Sequence, residues 1–392
     1  MKNSTNGAVI IGGDFQGLGI ARNLAPLDIP VIIVDTRFCI GRVSRYTDRY
    51  FSSPPLTDPE GFVDFLIRLA FEEGMKKWVL FPTSDRAVFI LSKYRDRLSE
   101  YYLVPTPPWE ITRLAYDKKL THRLAEKLEI PAPITFFPQD LEELKDLVLD
   151  FPVILKPSVI ANFFPVVKRK ALPVRNRNEL MEGYRYMSSI IPKDEIMVQE
   201  IIGGGAKNLY SFCSLFREGV VKAKIMARRL RQHPMDFGSA TTFALTCEEP
   251  ELERMSVRLL ENIHYYGLSE VEFMFDQKDR TFKLLEINPR TWGWHTLGAK
   301  AGVNFSALLF MDMNDRSVSV DSFEKGVKWI REITDLPTVL TELIKKRMKI
   351  REYIESVRGK KELAVYSRRD PLPFVAELFL APAMWYRRGF RS

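Results

Sequence analysis

The sequence predicts an α/β and α+β protein of more than one domain, and three observations lead to this fold class. First, a chain of 392 residues is too long for one small hydrophobic core and suits two or three packed subdomains. Second, the chain opens with an apolar run, a glycine-rich turn and a helical segment, which is typical of parallel α/β structure. Third, short β-rich segments then alternate with helices, which is typical of a mostly antiparallel α+β region.

The first domain is predicted over residues 1–108 as a Rossmann-like α/β unit. Residues 8–11 and 31–34 are expected to be buried parallel strands, joined by the glycine-rich turn and a helix. A later strand at 78–81 ends in the polar sequence Pro-Thr-Ser-Asp. Ligands of open α/β sheets bind at the carboxyl edge, so this segment is expected to face a ligand.

The second domain is predicted over residues 109–315 and carries most of the candidate chemistry. A helix is expected at 117–129, because leucines recur every fourth residue and prolines follow. The expected strands, mostly antiparallel, are residues 153–155, 171–174, 196–202, 210–216, 220–227, 270–276 and 282–287.

Basic charge is concentrated in a helical C-terminal tail, predicted over residues 316–392 with a helix at about 338–354. Residues 341–392 hold 13 Lys and Arg against 6 Asp and Glu, which is nearly the whole net charge of +8. A nucleic-acid-binding protein would carry its basic residues across its main domain, with interleaved aromatic residues. The sequence therefore predicts no nucleic-acid partner.

The end of this tail, residues 370–388, is apolar, then aromatic, then basic. This order suits peripheral contact with an anionic membrane surface, and it equally suits docking on the protein's own body or on a second subunit. A cytoplasmic location is expected, because the three cysteines are scattered and no signal peptide is recognised. The inner face of the membrane and a homodimer remain open alternatives.

The glycine-rich turn at residues 12–19 admits two interpretations. It resembles a phosphate-binding turn, but Asp14 stands where the dinucleotide fingerprint needs its second glycine. A nicotinamide-dependent oxidoreductase is one alternative, which Asp35 after the second strand favours. A tight turn without a bound dinucleotide is the other.

The strongest chemical signal is a predicted hairpin near the end of the second domain. Its polar turn at 277–280 makes Glu272 and Glu286 cross-strand neighbours, and alternation places Asn288 on the face of Glu286. Two carboxylates and an amide that converge suit Mg²⁺, or Mn²⁺, bridging substrate phosphates. A solvated face of the hairpin is the alternative.

Several basic side chains are candidate anion ligands. Lys156 ends an apolar strand, where an ammonium group is costly to bury unless it meets an anion such as phosphate; the alternative is a lysine that reaches water. Residues 227–242 include Arg229 and Arg231, either of which is expected to contact a substrate carboxylate or acyl phosphate. Solvated arginines on an edge strand are the alternative. His233 is a weaker candidate for a base.

Taken together, these motifs resemble the ATP-grasp superfamily over roughly residues 7–312. Residues 228–241 are most similar to the carboxylate-amine ligases grouped with D-aspartate ligase. The motifs that carry the resemblance are Asp117-Lys118, Ile154-Leu155-Lys156-Pro157, Val198-Gln199-Glu200-Ile201-Ile202-Gly203-Gly204, Val271-Glu272-Phe273 and Leu285-Glu286-Ile287-Asn288-Pro289-Arg290.

The resemblance implies an enzyme that joins a small-molecule carboxylate to a small-molecule amine through an acyl phosphate, while ATP is converted to ADP and phosphate. A non-catalytic nucleotide-binding scaffold at a membrane surface is a further alternative. The implied residues are Lys118 and Lys156 for the ATP phosphates, Glu200 with the backbone of Gln199, Ile201 and Ile202 for ribose and adenine, Glu272, Glu286 and Asn288 for Mg²⁺, and Arg290 for the transferred phosphate. Lys170 is a further candidate for a phosphate contact, and a solvated lysine is the alternative.

One segment departs from the family pattern. The loop that covers the phosphates is usually rich in glycine, whereas residues 157–170 contain none. A hairpin lid that packs through Phe163 and Phe164 is expected in its place.

Overall fold

Residues 6–235 and 240–388, which the computed structural model describes, form three β-sheets connected by helices. Residues 236–239, which fall within the predicted substrate segment, lie outside the described residues. The N-terminal sheet is parallel and the two sheets that follow it are mostly antiparallel, as predicted.

The first sheet is parallel and belongs to the N-terminal region. Its strands are β1 (Ala8–Ile11), β2 (Val31–Asp35), β3 (Arg49–Ser52) and β4 (Val79–Pro82), in the order β3–β2–β1–β4. The accompanying helices are α1 (Phe15–Leu24), α2 (Pro59–Glu72), α3 (Asp85–Lys93) and α4 (Arg95–Ser99). The Ser84 side chain caps α3 by accepting a hydrogen bond from the backbone of Ala87. Asp85 is therefore held at the carboxyl edge of the sheet.

The glycine-rich turn is filled by the protein's own side chains. The backbone N–H of Gly13 donates to the Asp35 carboxylate at 2.9 Å, and a Cβ atom on Gly13 would lie 2.3 Å from Sγ of Cys39. Gly12 has a φ of +96°, which L side chains rarely adopt. These contacts favour the tight strand-to-helix turn over a dinucleotide site.

The second sheet is antiparallel and follows α5 (Trp109–Tyr116) and α6 (Lys118–Lys127). Its strands and helices are β5 (Thr135–Phe136), α7 (Leu141–Asp146), β6 (Val153–Pro157), α8 (Ile160–Val167), β7 (Leu172–Val174), α9 (Arg177–Ser188) and β8 (Ile196–Glu200). The strand order is β5–β8–β6–β7. The Asp117 side chain caps α6 and accepts a hydrogen bond from the backbone of Lys119, so Lys118 occupies the first helical position.

The segment that was expected to form a hairpin lid is a helix, α8, so that prediction is wrong. Phe163 is completely buried in the core under the second sheet, and the helix ends at Lys168 in the left-handed conformation. A run of bulky apolar residues gains more by covering a hydrophobic core as an amphipathic helix than as an exposed hairpin.

The third sheet is the largest and is antiparallel except at one edge. Its strands are β9 (Leu209–Arg217), β10 (Val220–His233), β11 (Ala240–Thr246), β12 (Gly267–Asp276), β13 (Thr281–Asn288), β14 (Lys328–Ile330) and β15 (Lys361–Leu363), in the order β13–β12–β9–β10–β11–β14–β15. The remaining helices are α10 (Pro250–Asn262), α11 (Thr296–Lys300), α12 (Phe305–Met313), α13 (Glu332–Ile344), α14 (Ile350–Val357) and α15 (Leu372–Arg388).

The residues after 316 are not a separate helical tail, contrary to the prediction. β14 and β15 extend the third sheet, and the single helix expected at about 338–354 is two helices, α13 and α14. Asp370 accepts hydrogen bonds from Arg22 at 3.0 Å and from Ser44 at 2.7 Å, both in the first domain. The C-terminal segment is therefore an integral part of the fold.

A buried ion pair links α15 to the rest of the protein. Arg331, which follows β14, donates to both carboxylate oxygens of Glu377, and both side chains are almost completely buried. Removal of one partner leaves the other charge buried and unpaired.

We expect Glu377→Ala to lower the free energy of unfolding by about 3–5 kcal/mol, because Arg331 would lose its counter-ion in a buried position. Chemical denaturation measures this change. Glu355→Ala, which breaks an exposed ion pair with Arg351, is the control and should have little effect. Equal shifts in the two variants would contradict the integral role of α15.

Candidate active site

A cavity of about 730 Å³, a size typical of small-molecule sites, lies between the first domain, the second sheet and the third sheet. The first domain contributes Ser84, Asp85 and Arg86, and α8 contributes Phe164. The predicted site residues that line it are Lys118, Lys156, Lys170, Ile201, Ile202, Arg229, Glu272, Glu286, Asn288 and Arg290.

The floor of the cavity holds the predicted carboxylate pair. Glu272 on β12 is directly opposite Glu286 on β13, which confirms the predicted cross-strand geometry. Asn288 Nδ2 lies 3.3 Å from Glu272 Oε1 and 3.5 Å from Glu286 Oε1. The carboxylates and the amide therefore converge on one point, as alternation along the strands requires.

Each carboxylate has a cationic partner from a distant part of the chain. Lys118 Nζ lies 2.8 Å from Glu286, and Arg229 donates to Glu272 at 3.4 Å. Burial opposes ionisation of Glu286, but Lys118 and the neighbouring lysines outweigh it and hold the pKa of this carboxyl well below its usual range. Glu286 is therefore ionised at neutral pH and suited to bind a cation.

The donor set fits Mg²⁺, which prefers oxygen ligands and usually keeps water or substrate phosphates in its shell. Glu272 and Glu286 would supply carboxylate oxygens. Asn288 would supply its amide oxygen, which in the structure accepts a hydrogen bond from Arg290 while the amide nitrogen faces the carboxylates. Among residues 6–235 and 240–388, no group of three or more His, Cys, Asp or Glu has the arrangement of a metal site. A set of two carboxylates and one amide would leave positions in the metal shell for phosphate oxygens.

Three lysines also line the cavity, and they are Lys118, Lys156 and Lys170. Burial and the neighbouring Lys118 lower the pKa of Lys156 to about 8, and burial also lowers the pKa of Lys170. The pKa of Lys118 is raised, because Glu286 outweighs the effect of burial. Ammonium groups gathered in a cavity repel one another, and a polyanionic ligand would relieve that repulsion.

The apolar end of the cavity includes Ile201 and Ile202, which follow β8. The side chain of Gln199 is buried and donates to Thr135 at 2.7 Å. The carboxylate of Glu200 accepts hydrogen bonds from the backbone of Ile134 at 2.9 Å and from Lys283 at 3.1 Å.

The Gln199 side chain thus links strands within the second sheet, and the Glu200 side chain links the second sheet to the third, instead of lining the cavity. The ribose contact predicted for the Glu200 carboxylate is not supported. Lys283 on β13 forms an ion pair with the Glu200 carboxylate. The prediction for this segment rests on its backbone and on Ile201 and Ile202.

The structure separates the two candidate arginines of β10. Arg229 lines the cavity, whereas Arg231 is buried and makes a bidentate pair with Asp335 at 2.7 and 2.8 Å. A shift in strand register between Arg229 and Arg231 interrupts the regular alternation, so their side chains point to opposite faces of the sheet. The predicted substrate contact is therefore wrong for Arg231.

His233 also lies outside the cavity lining. Its Nδ1 is 2.7 Å from the Thr338 hydroxyl, and burial lowers its pKa. The structure gives no support for His233 as a base in the cavity.

Arg290 lines the cavity at its junction with the first domain. Its Nε donates to Asp85, and its second guanidinium nitrogen donates to the amide oxygen of Asn288 at 3.1 Å. Asp85 was not among the predicted site residues, although the polar segment after β4 was recognised as a sheet-edge position. Arg86 beside it donates to the backbone carbonyl of Ala161 on α8 at 3.0 Å.

Glu270 is a second residue that the predicted site omitted. It is buried behind Asn288, from which it accepts a hydrogen bond at 3.3 Å, and it also accepts one from the Trp294 indole at 3.0 Å. Burial and the adjacent Glu272 raise its pKa to about 8. The alternation that identified Glu272 would have identified Glu270 on the same face.

We expect the affinity for ATP to fall as the pH rises above about 8, by up to about tenfold per pH unit. Below that pH Lys156 is already charged, and above it the lysine must take up a proton when phosphate binds. Titration calorimetry from about pH 7 to about pH 9.5 measures the change.

Lys156→Arg should abolish this pH dependence, because guanidinium remains charged throughout the range. Lys145→Arg, at an exposed position of α7, is the control and should retain it. An ATP affinity of the unmodified protein that does not change with pH would contradict the assignment of Lys156 as a phosphate ligand.

Comparison with known proteins gives matches in both sequence and fold. Residues 232–307, which include Glu272, Glu286, Asn288 and Arg290, match the family model described as the carbamoyl-phosphate synthase L chain, ATP binding domain. D-aspartate ligase of Enterococcus faecium (strain Aus0004) is 25% identical over 246 residues. That alignment covers 58% of this chain and 58% of the length of the relative.

The fold is similar to those of several ligase structures. L-amino acid ligase from Bacillus licheniformis superposes with a TM-score of 0.63 at 16% identity, over 79% of this chain and 74% of that protein. The biotin carboxylase domain of 2-oxoglutarate carboxylase from Hydrogenobacter thermophilus, in complex with MgADP, ADP and bicarbonate, gives 0.64 at 16% identity, over 82% and 73%. These matches confirm the predicted resemblance of the chain to the ATP-grasp superfamily and to D-aspartate ligase.

Proposed function

We propose that this protein is an ATP-dependent carboxylate-amine ligase that forms an amide through an acyl phosphate. The observation that carries the proposal is the convergence of opposed carboxylates, an amide, lysines and an arginine in one cavity. Phosphoryl transfer depends on positioning and charge neutralisation more than on a covalent enzyme nucleophile, and these groups supply both. They are Glu272, Glu286, Asn288, Lys118, Lys156, Lys170 and Arg290.

In the first step, a carboxylate oxygen of the acid attacks the γ-phosphorus of ATP, and the bond from that phosphorus to the β,γ-bridging oxygen breaks. ADP leaves with the electron pair of that bond, and an acyl phosphate remains. Lys118 and Lys156 neutralise the phosphates, and Arg290 faces the group in transfer. Mg²⁺ bound by Glu272 and its partners would add charge neutralisation at the phosphate oxygens.

In the second step, the amine nitrogen attacks the acyl carbon, and the bond from that carbon to the phosphate oxygen breaks. Phosphate leaves with the electron pair of that bond and takes up the proton that the nitrogen loses, so that hydrogen phosphate and the amide are released. Arg229 is placed to hold the acyl phosphate, because its guanidinium lines the cavity between Glu272 and Gln232, to which it donates at 3.4 and 3.2 Å.

The names of the relatives suggest which substrates to test first. One is a D-aspartate ligase and another an L-amino acid ligase. An amino acid is therefore the first class to supply as the acid and as the amine. Because the alignment to D-aspartate ligase spans 58% of each chain, the substrates of that enzyme are not assigned to this one.

The alternative functions receive less support from the structure. A nicotinamide-dependent oxidoreductase would need an open turn at Gly12 and Gly13, which Asp35 and Cys39 fill. A non-catalytic scaffold would have no use for Glu272 and its opposed carboxylate at the bottom of a cavity.

We expect Glu286→Gln to reduce ADP release by at least about a hundredfold, because it removes one of the two metal-binding carboxylates. ADP is measured over a panel of amino acids with Mg²⁺, with and without hydroxylamine, which traps an acyl phosphate as a hydroxamate. Glu261→Gln, an exposed carboxylate on α10, is the control. If Glu286→Gln releases ADP at the rate of the unmodified protein, Glu286 is not a metal ligand. If the unmodified protein releases no ADP, the ligase proposal is contradicted.

Arg229→Met and Arg231→Met should give opposite results, although the residues are two positions apart. Arg229→Met should lose ADP release, and it should lose less stability than Arg231→Met, because Glu272 keeps the hydrogen bond from Asn288. Arg231→Met should lower the free energy of unfolding by about 3–5 kcal/mol, because Asp335 would be buried without its partner. Denaturation and ADP release are measured on both variants. If only Arg231→Met loses ADP release while it remains folded, Arg231 and not Arg229 is the residue that contacts the reacting groups.

A further inference from the structure

The helix α13 carries its polar residues inward and its large apolar residues outward. On the buried side, Asp335 pairs with Arg231, and Glu342 pairs with Arg347. A helix on the surface of a globular protein normally shows the reverse pattern. The outward residues recur every fourth position and are Leu336, Leu340 and Ile344, with exposed fractions of 54%, 50% and 81%.

The helix α15 also combines a buried charge with exposed apolar residues. Its inward face carries Glu377 in the buried pair with Arg331, and Phe374, Ala376 and Leu380 pack against the core. Its outward side chains are Leu372, Val375, Leu378 and Phe379, of which Phe379 is 82% exposed. On α14 between them, Ile350 and Ile354 are also exposed. We name these nine side chains of α13, α14 and α15 the C-terminal apolar surface.

The three helices that form the C-terminal apolar surface are joined to one another. Arg231 donates to Asp335 on α13 and to the Ser356 hydroxyl on α14 at 2.9 Å. Arg331, at the start of α13, holds Glu377 on α15. Among the described residues, ten of the 18 exposed large hydrophobic side chains fall within residues 336–379. Exposure of this kind marks an interaction surface more often than a chance distribution of apolar residues.

The C-terminal apolar surface is accompanied by most of the protein's excess positive charge. Residues 341–392 carry 13 Lys and Arg against 6 Asp and Glu, whereas the whole chain has a net charge of +8. The exposed basic residues on or between the three helices and β15 are Lys345, Lys346, Arg347, Lys349, Arg351, Arg358, Lys360, Lys361, Arg368 and Arg369. The remaining body of the protein is nearly neutral.

We infer that the C-terminal apolar surface binds to the face of an anionic lipid bilayer, with α13, α14 and α15 at the interface. Apolar side chains on such helices enter the boundary between headgroups and acyl chains, while basic side chains attract anionic headgroups. The concentration of charge on one segment also orients the protein toward the membrane. Within the described part of the chain, no helix has both the length and the hydropathy to cross a bilayer.

A second copy of the chain is a poorer occupant of this surface. A two-fold symmetric dimer places the same patch of each subunit against the other. Each patch lies in a segment with a net charge of +7, so the two would repel. An anionic bilayer supplies the opposite charge together with an apolar layer.

Flotation of the full chain with lipid vesicles tests the inference. Vesicles of phosphatidylcholine alone are compared with an equimolar mixture of phosphatidylcholine and phosphatidylglycerol. The protein should float only with the mixed vesicles, and added salt should weaken binding. The double variant Ile344→Ser/Phe379→Ser should reduce the partition coefficient about tenfold or more, because two apolar side chains no longer enter the interface.

The matched control is Val148→Ser/Phe71→Ser, which changes two side chains that are 92% and 70% exposed elsewhere on the protein. It should float as the unmodified protein does, and thermal unfolding should show that both double variants are folded. The inference is overturned if anionic vesicles do not bind the protein or bind the Ile344/Phe379 variant equally well. A concentration-dependent dimer in sedimentation that this variant abolishes would assign the surface to a second copy instead.

Discussion

The arrangement of the cavity depends on one electrostatic constraint, the opposition of Glu272 and Glu286 on neighbouring strands. Like charges directly across a sheet are destabilising, so this pair needs nearby cations. Lys118 reaches it from the start of α6 and Arg229 from β10, more than 40 positions before the carboxylate each contacts. The packing of α6, β10 and the β12–β13 hairpin is thus tied to the charge balance of the site.

The same constraint explains why the site can bind a nucleotide and a metal together. A cation placed between the carboxylates would take over the role of Lys118 and Arg229, which would leave both basic groups available to phosphates. Burial, together with the charge of the nearby Lys118, lowers the pKa of Lys156. Metal and phosphate therefore relieve opposite imbalances in one cavity, and each favours binding of the other.

Local patterns predicted the parts of the site that depend on local geometry. Alternation along two strands was sufficient to pair Glu272 with Glu286. The substrate contact expected for Arg231 is wrong, because a shift in register within β10 separates it from Arg229 and leaves no recognisable mark in the sequence. The ion pair of Glu200 could not be predicted either, because its partner Lys283 lies far away in the chain. Likewise, β14 and β15 are too short to show the alternation of apolar and polar residues that predicts a strand. The prediction of a C-terminal tail therefore rested on charge composition.

The contacts of Asp85 and Arg86 have a mechanical consequence. These adjacent residues link the first domain to opposite walls of the cavity, through Arg290 on one side and the Ala161 carbonyl of α8 on the other. Outward motion of α8 must therefore break its hydrogen bond to α3, and rotation of the first domain must pull on Arg290, the arginine proposed to face the transferred group. In the proposed reaction, admission of reactants and alignment of the reacting groups would be coupled through a single helical turn.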